Sequence, residues 1–130
     1  MQLLESIKKD AIVLGSGEIE VHAFIDPLCK MSQRYLSLIY KRNHEIFSHY
    51  TIYLYMHEIK AKKSKQHILT IMDATSPERM IHNIMIDKDM SALVSRHSVN
   101  SRELFEDIAK VAKTIGVNKR PYIMIGGKVK

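Results

Sequence analysis

Apolar positions along this chain change their spacing several times, and each change marks an element. Leu3, Leu4 and Ile7 fall on one face of a short amphipathic helical pattern at the start. The run AIVL then meets the turn signal GSGE. IEVHAFID follows, apolar and rich in β-branched side chains, and reads as a buried strand. Pro27 has no N–H for a sheet ladder, so this strand should end at about Asp26. From Cys29 the spacing turns helical. Tyr35, Leu38, Ile39, Arg42 and Ile46 recur in register and predict a helix from Cys29 to about Phe47. In YTIYLYMHEI the pattern alternates, with Ile52, Leu54 and Met56 on one face and Tyr53, Tyr55 and His57 on the other, which predicts a strand.

The second half is mostly helical. QHILTIMDA has helical spacing, and SPERMIHNIMI opens with Ser76 as an N-cap and Pro77 at the first helical position. NSRELFEDIAKVAKTIG is the clearest helix, with Asn100 or Ser101 as the expected cap. Its apolar stripe is Leu104, Ile108, Val111 and Ile115, and Gly116 supplies the stop. RPYIMIGGKVK closes the chain as two short strand-like runs about Gly126-Gly127. The order needs both parallel and antiparallel pairing, which predicts an α/β fold with a mixed sheet covered by helices. Residues 1–10 read as a peripheral, linker-like helix and 11–130 as one domain.

Composition narrows the class. The 130 residues are 45% hydrophobic and 26% charged, ordinary for a globular domain and long enough for a core of its own. No apolar run approaches the roughly 20 residues that span a bilayer, and MQLLESIKKD lacks the apolar stretch of a signal peptide. The net charge of +6 raises nucleic acid as a partner. Its densest source, KAKKSK at 60–65, has no aromatic interleaving and reads as a solvated loop, so no nucleic-acid partner is expected. Seven histidines lack a ligand spacing, and Met80, Ile81, Ile84 and Met85 form a core stripe, so neither a metal nor a cofactor is expected.

One cysteine, Cys29, excludes an intrachain disulfide. A lone cysteine in an apolar setting is usually an inert core atom. This one stands where a strand gives way to a helix, facing unpaired N–H groups and the positive end of the helix dipole, which suits a thiolate. Lys30 adds a nearby charge, and Ser32, one turn on, can bring its hydroxyl to the sulfur. Asp26 has two readings: capping the turn that follows it, or moving a proton near Cys29.

Two segments together resemble a known family. FIDPLCKMS resembles the active-site stretch of periplasmic disulfide isomerases of the DsbC/DsbG type, where a strand ending in Phe-x-Asp-Pro leads to Cys-x-x-Cys on a helix. GVNKRPYIMIGGK resembles that family's second signature, a cis-proline followed by a strand and a glycine hairpin. The upstream LLESIKKDAIVLGSGEIEVHAFID is similar to the linker helix and first strands of its catalytic domain.

The resemblance implies a thioredoxin-like fold with a helical insertion and a thiol-disulfide exchange activity in the periplasm. It makes Cys29 the nucleophile and Pro121 a cis-proline touching it. Lys30, Met31, Arg120 and Pro121 would border the substrate. Disulfide-bonded or thiol-containing proteins would be the partners, with glutathione or a membrane reductase behind them. Ser32 departs from the pattern by replacing the resolving cysteine. The family's dimerisation domain and final helix also have no counterpart in the chain. A single thiol forms a mixed disulfide that it cannot resolve internally, which favours isomerisation or deglutathionylation. The competing expectation is a thioredoxin-like scaffold without turnover.

Overall fold

Five consecutive residues of the second strand, Val21 to Ile25, are all buried, so this strand needs cover on both faces. The computed structural model supplies it, describing residues 2–59, 62–126 and 128–129, without the side chains of 2, 3, 128 and 129. The expectation for the Leu3 side chain and those for Lys60 and Gly127 lie outside what is described. Strands β1 (Ile12–Leu14), β2 (Ile19–Ile25), β3 (Tyr50–Met56), β4 (Tyr122–Ile125) and β5 (Lys128–Val129) form one sheet in the order β1-β3-β2-β4-β5. Among the described residues β2 and β3 run parallel and the other pairs are antiparallel.

One face carries Val21, Ala23, Ile25, Ile52, Leu54 and Met56. It is covered by α2 (Lys30–Lys41), α4 (Lys65–Asp73) and α5 (Pro77–Ile81), which runs on into a π-helical turn at His82–Ile86. The opposite face, with Phe24, Tyr55, Tyr122 and Met124, packs against α1 (Gln2–Ile7) and α6 (Val99–Ile115). Residues 2–10 therefore do more than link: Leu4 and Ile7 are buried against α6 and the sheet.

Four local expectations need correction. The helix expected from Cys29 to Phe47 breaks at Arg42 (φ −114°, ψ 36°), and α3 (Asn43–His49) starts anew beyond it. The buried stripe of α2 is Ser32, Leu36 and Ile39, at helical spacings of four and three, while Leu38 is 55% exposed. On α6 the buried positions are Ser101, Phe105, Ile108, Val111 and Ala112, with Leu104 and Ile115 at the margins. Its cap is Ser98, whose hydroxyl accepts from Ser101 N–H; the Asp73 carboxylate fixes that cap by accepting from Ser98 N–H and Oγ–H. By contrast Ser76 caps α5 as expected, accepting from Arg79 N–H with Pro77 at the first position.

The GSGE turn is held against the α3–β3 junction. Ser16 N–H donates to Phe47 O and Gly17 N–H to Tyr50 O, while Thr51 Oγ1 donates to Gly17 O at 2.6 Å. A Cβ on Gly17 would lie 1.9 Å from His49 C. Backbone must move to admit it, so Gly17→Ala should cost about 2–3 kcal/mol. The urea midpoint measures this, and a neutral substitution would contradict the close approach.

Candidate functional site

β2 delivers the chain to Asp26 at the edge of the sheet's parallel pair, and Pro27 then prevents further ladder bonding. Asp26 is fully buried. Its Oδ1 accepts from Leu28 N–H at 2.9 Å and from Ser64 Oγ at 2.5 Å, and its Oδ2 accepts from Ile59 N–H at 2.6 Å. The bond to Leu28 is the capping turn read from the sequence. The other two tie in the segments beyond β3. A buried carboxylate with three donors is a structural tie rather than a free base.

The turn sets Cys29 at the N-cap of α2, with φ −82° and ψ 124°. Cys29 N–H donates to Asp26 O, and Gln33 N–H donates to Cys29 O. Gln33 Nε2 secures the turn from outside by donating to Pro27 O at 2.9 Å. Cys29 is largely covered, only 8% exposed. Its thiol points across to β4's approach and donates to Arg120 O at 3.7 Å. Met31, two residues on, is 55% exposed, and Lys30 is exposed as well.

Ser32 differs from expectation. It is fully buried, and its Oγ accepts the Asp26 N–H at 3.2 Å instead of donating to the sulfur. The next helical turn places residue 32 under the loop, where it meets the backbone it has just left.

Arg120 and Pro121 come from the far end of the chain. The Arg120–Pro121 peptide is cis, and Pro121 is half-buried. The guanidinium of Arg120 grips the backbone just beyond β3. Nε donates to His57 O at 3.1 Å and Nη2 to Glu58 O at 3.2 Å, while Nη1 donates to Lys119 O at 2.9 Å. Burial lowers its pKa, against the opposing pull of Asp26 and Cys29. Beside this clamp lies a cavity of about 450 Å³, lined by His57, Phe105, Val117, Lys119 and Arg120.

His57 sits half-buried between these groups. Burial, then the charge of Arg120, push its imidazole down to about 4, against the upward pull of Asp26. An unfolded chain takes up this proton near pH 6.5, before the folded one does, so stability should fall as pH drops from about 6.5 to about 4. His57→Gln should flatten that stretch by roughly 1–2 kcal/mol, allowing for water at the exposed part of the ring. Urea midpoints at stepped pH give the comparison, and parallel profiles for the two proteins would refute it.

Cys29 thus meets the backbone of Arg120 beside the cis bond to Pro121, Ser32 is tied to the backbone of Asp26, and Lys30 and Met31 are exposed at the start of α2. Sequence reasoning missed Ile59, Ser64 and His57. Ser64 lies inside KAKKSK, read as a solvated loop; Lys62 and Lys63 are exposed, but Ser64 is fully buried on Asp26.

The fold is thioredoxin-like. No family model and no curated sequence matches the chain, but solved structures do. A periplasmic thioredoxin-like protein from Salmonella enterica serovar Typhimurium superposes with a TM-score of 0.75 at 14% identity, over 99% of this chain and 87% of that one. The catalytic domain of Proteus mirabilis ScsC gives 0.71 at 14% identity, over 99% and 88%. A disulfide interchange protein from Neisseria gonorrhoeae gives 0.69 at 18%, over 89% and 79%. At these identities the likeness is one of fold. Among the described residues no helix is long and apolar enough to cross a membrane.

Proposed function

We propose that this protein exchanges disulfides through Cys29 acting as a single nucleophilic thiol. The observation that carries the reading is the position of the sulfur, at the N-cap of α2 and against the backbone of Arg120 next to a cis-proline. The Cys29 thiolate attacks a substrate disulfide; the new S–S bond joins Cys29 to the substrate, and the displaced sulfur leaves with its electron pair. With serine at 32, release requires an incoming thiol, either a second substrate cysteine or glutathione. The reaction is then isomerisation or deglutathionylation, as in the DsbC/DsbG type that FIDPLCKMS resembles. Substrate would reach Cys29 past the exposed Lys30 and Met31 of α2, and the cavity beside Arg120 would take a further part of its chain. The periplasm, named for the Salmonella neighbour, is the compartment that fits.

A second reading is favoured by two observations. Cys29 is only 8% exposed, and Ser32 is committed to a backbone bond. A thioredoxin-like scaffold would tolerate both. A glutathionylated peptide incubated with excess glutathione separates the two. Catalytic amounts of the protein should accelerate release of the peptide thiol, and Cys29→Ala should abolish the acceleration. No acceleration by the unaltered protein would leave the scaffold reading in place.

A further inference from the structure

Between Asp26 and Glu45 the chain carries no carboxylate, yet it carries Lys30, Arg34, Lys41 and Arg42. Arg42 is paired with Glu45 at 2.7 Å. The other three are spaced four and seven residues apart, which puts them on one exposed face of α2, opposite the buried Leu36 and Ile39. Lys88, on the loop after the π-helical turn, faces them. Together with Gln33 and Leu38, these four cations line a depression of about 480 Å³ that begins one residue past Cys29.

Among the described residues none of the four forms an ion pair; Lys88 Nζ donates instead to Met85 O at 2.5 Å. The nearby acids are engaged elsewhere. Asp87 lies 3.4 Å from His82 Nδ1, and Asp89 accepts from Ser91 N–H. Past Leu38 the surface becomes an apolar hollow of about 320 Å³ floored by Ile39, Ile46, Tyr50, Ile123 and Ile125. Four unneutralised cations beside a nucleophilic sulfur, leading to an apolar hollow, complement one kind of chain.

We propose that this face of α2 docks an acidic segment of the disulfide-bearing partner, running from the cysteine at Cys29 towards an apolar side chain beyond Leu38. The proposal rests on the thiol-exchange reading and adds the substrate class. Lys30 to Lys41 spans about 16 Å of helix, the reach of about five extended residues. The partner's carboxylates therefore fall within about five positions of its reacting cysteine. The chemistry is unchanged: the Cys29–substrate S–S bond forms, the substrate's own S–S bond breaks, and the leaving thiolate keeps the electron pair.

The test uses three peptides, each with one cysteine activated as a thiopyridyl disulfide. They differ only in bearing Glu, Gln or Lys over the following five positions. Release of thiopyridone reports the rate of attack by Cys29. The Glu peptide should react about tenfold faster than the Gln peptide at low salt, and the advantage should collapse at about 0.5 M salt. Arg34→Gln/Lys41→Gln should bring the Glu-to-Gln ratio close to one, whereas Lys110→Gln/Lys113→Gln on α6 should leave it intact. Equal rates for the Glu and Lys peptides, or equal loss in the α6 variant, would overturn the docking face while exchange itself stands. If Cys29 attacks none of the peptides, exchange fails, and anisotropy of dye-labelled peptides still decides docking. A preference for Glu over Gln that Arg34→Gln/Lys41→Gln removes upholds it; equal binding overturns it.

Discussion

Incubated with a disulfide-bonded peptide and no free thiol, the protein should accumulate a covalent adduct through Cys29, stable enough to isolate. A thioredoxin-like domain with two cysteines discharges such an adduct by internal attack, because the second sulfur is held close at high effective concentration. Here the residue in that place is Ser32, whose hydroxyl cannot substitute: an S–O bond is no stable counterpart of a disulfide. Its oxygen is also occupied, accepting the Asp26 N–H. Glutathione should clear the adduct, and Cys29→Ala should form none. Ser32→Cys should shorten the adduct's lifetime by at least about tenfold. That variant also exchanges an oxygen acceptor for sulfur at the Asp26 N–H, at a stability cost of about 1 kcal/mol. Intact mass spectrometry over time gives the lifetimes. Rapid reduction of the peptide with no trapped species would contradict the single-thiol mechanism.

The second large effect is expected at Asp26. Asp26→Ala strands the fully buried Ser64 hydroxyl and takes the acceptor from the half-buried Leu28 and Ile59 N–H groups, and should destabilise the fold by about 3–4 kcal/mol. Asp26→Asn keeps one carbonyl oxygen but turns an NH₂ group towards a donor, and should lose about half as much. Ser64→Ala removes only one of the three bonds and should cost about 1 kcal/mol. Urea unfolding ranks the three variants. A loss below about 1 kcal/mol for Asp26→Ala would mean that water replaces the carboxylate without penalty. Because Asp26 lies just past β2 and three residues before the cap of α2, damage there should also slow the reaction of Cys29 with a thiol reagent or broaden its rates.

Much of this was legible from spacing alone, because local rules act on adjacent residues. Pro27 ended β2 where it had to, the alternation in YTIYLYM gave β3 both of its faces, and Ser76-Pro77 announced α5. What spacing could not show was who bonds whom across the fold. Asn100 and Ser101 were the caps that spacing offered for α6; Asp73, far off in sequence, makes Ser98 the cap by holding both its N–H and its hydroxyl. The apolar period runs through Arg42 without a mark, because periodicity counts residues and is blind to a change of axis. The site divides the same way. The place of Cys29 at the start of α2 and the cis bond before Pro121 were readable from their flanking motifs. The burial of Ser64 was not, since the partner of its hydroxyl is a carboxylate 38 positions earlier.

The sheet order has a consequence for the making of this molecule. Val21 pairs with Ile125 and Phe24 with Tyr122, so β4 joins strands laid down almost the whole chain earlier. On the ribosome, β1, β2, β3 and α2 are all available long before β4 emerges. Through that interval one edge of β2 has no neighbour, and the Cys29 sulfur lacks the carbonyl of Arg120 that shelters it in the finished fold. Long-range pairing of this kind closes late. The nascent protein therefore passes through a stage in which its one thiol is bare beside an open strand edge. Arrival of β4 both completes the sheet and puts the cysteine under guard.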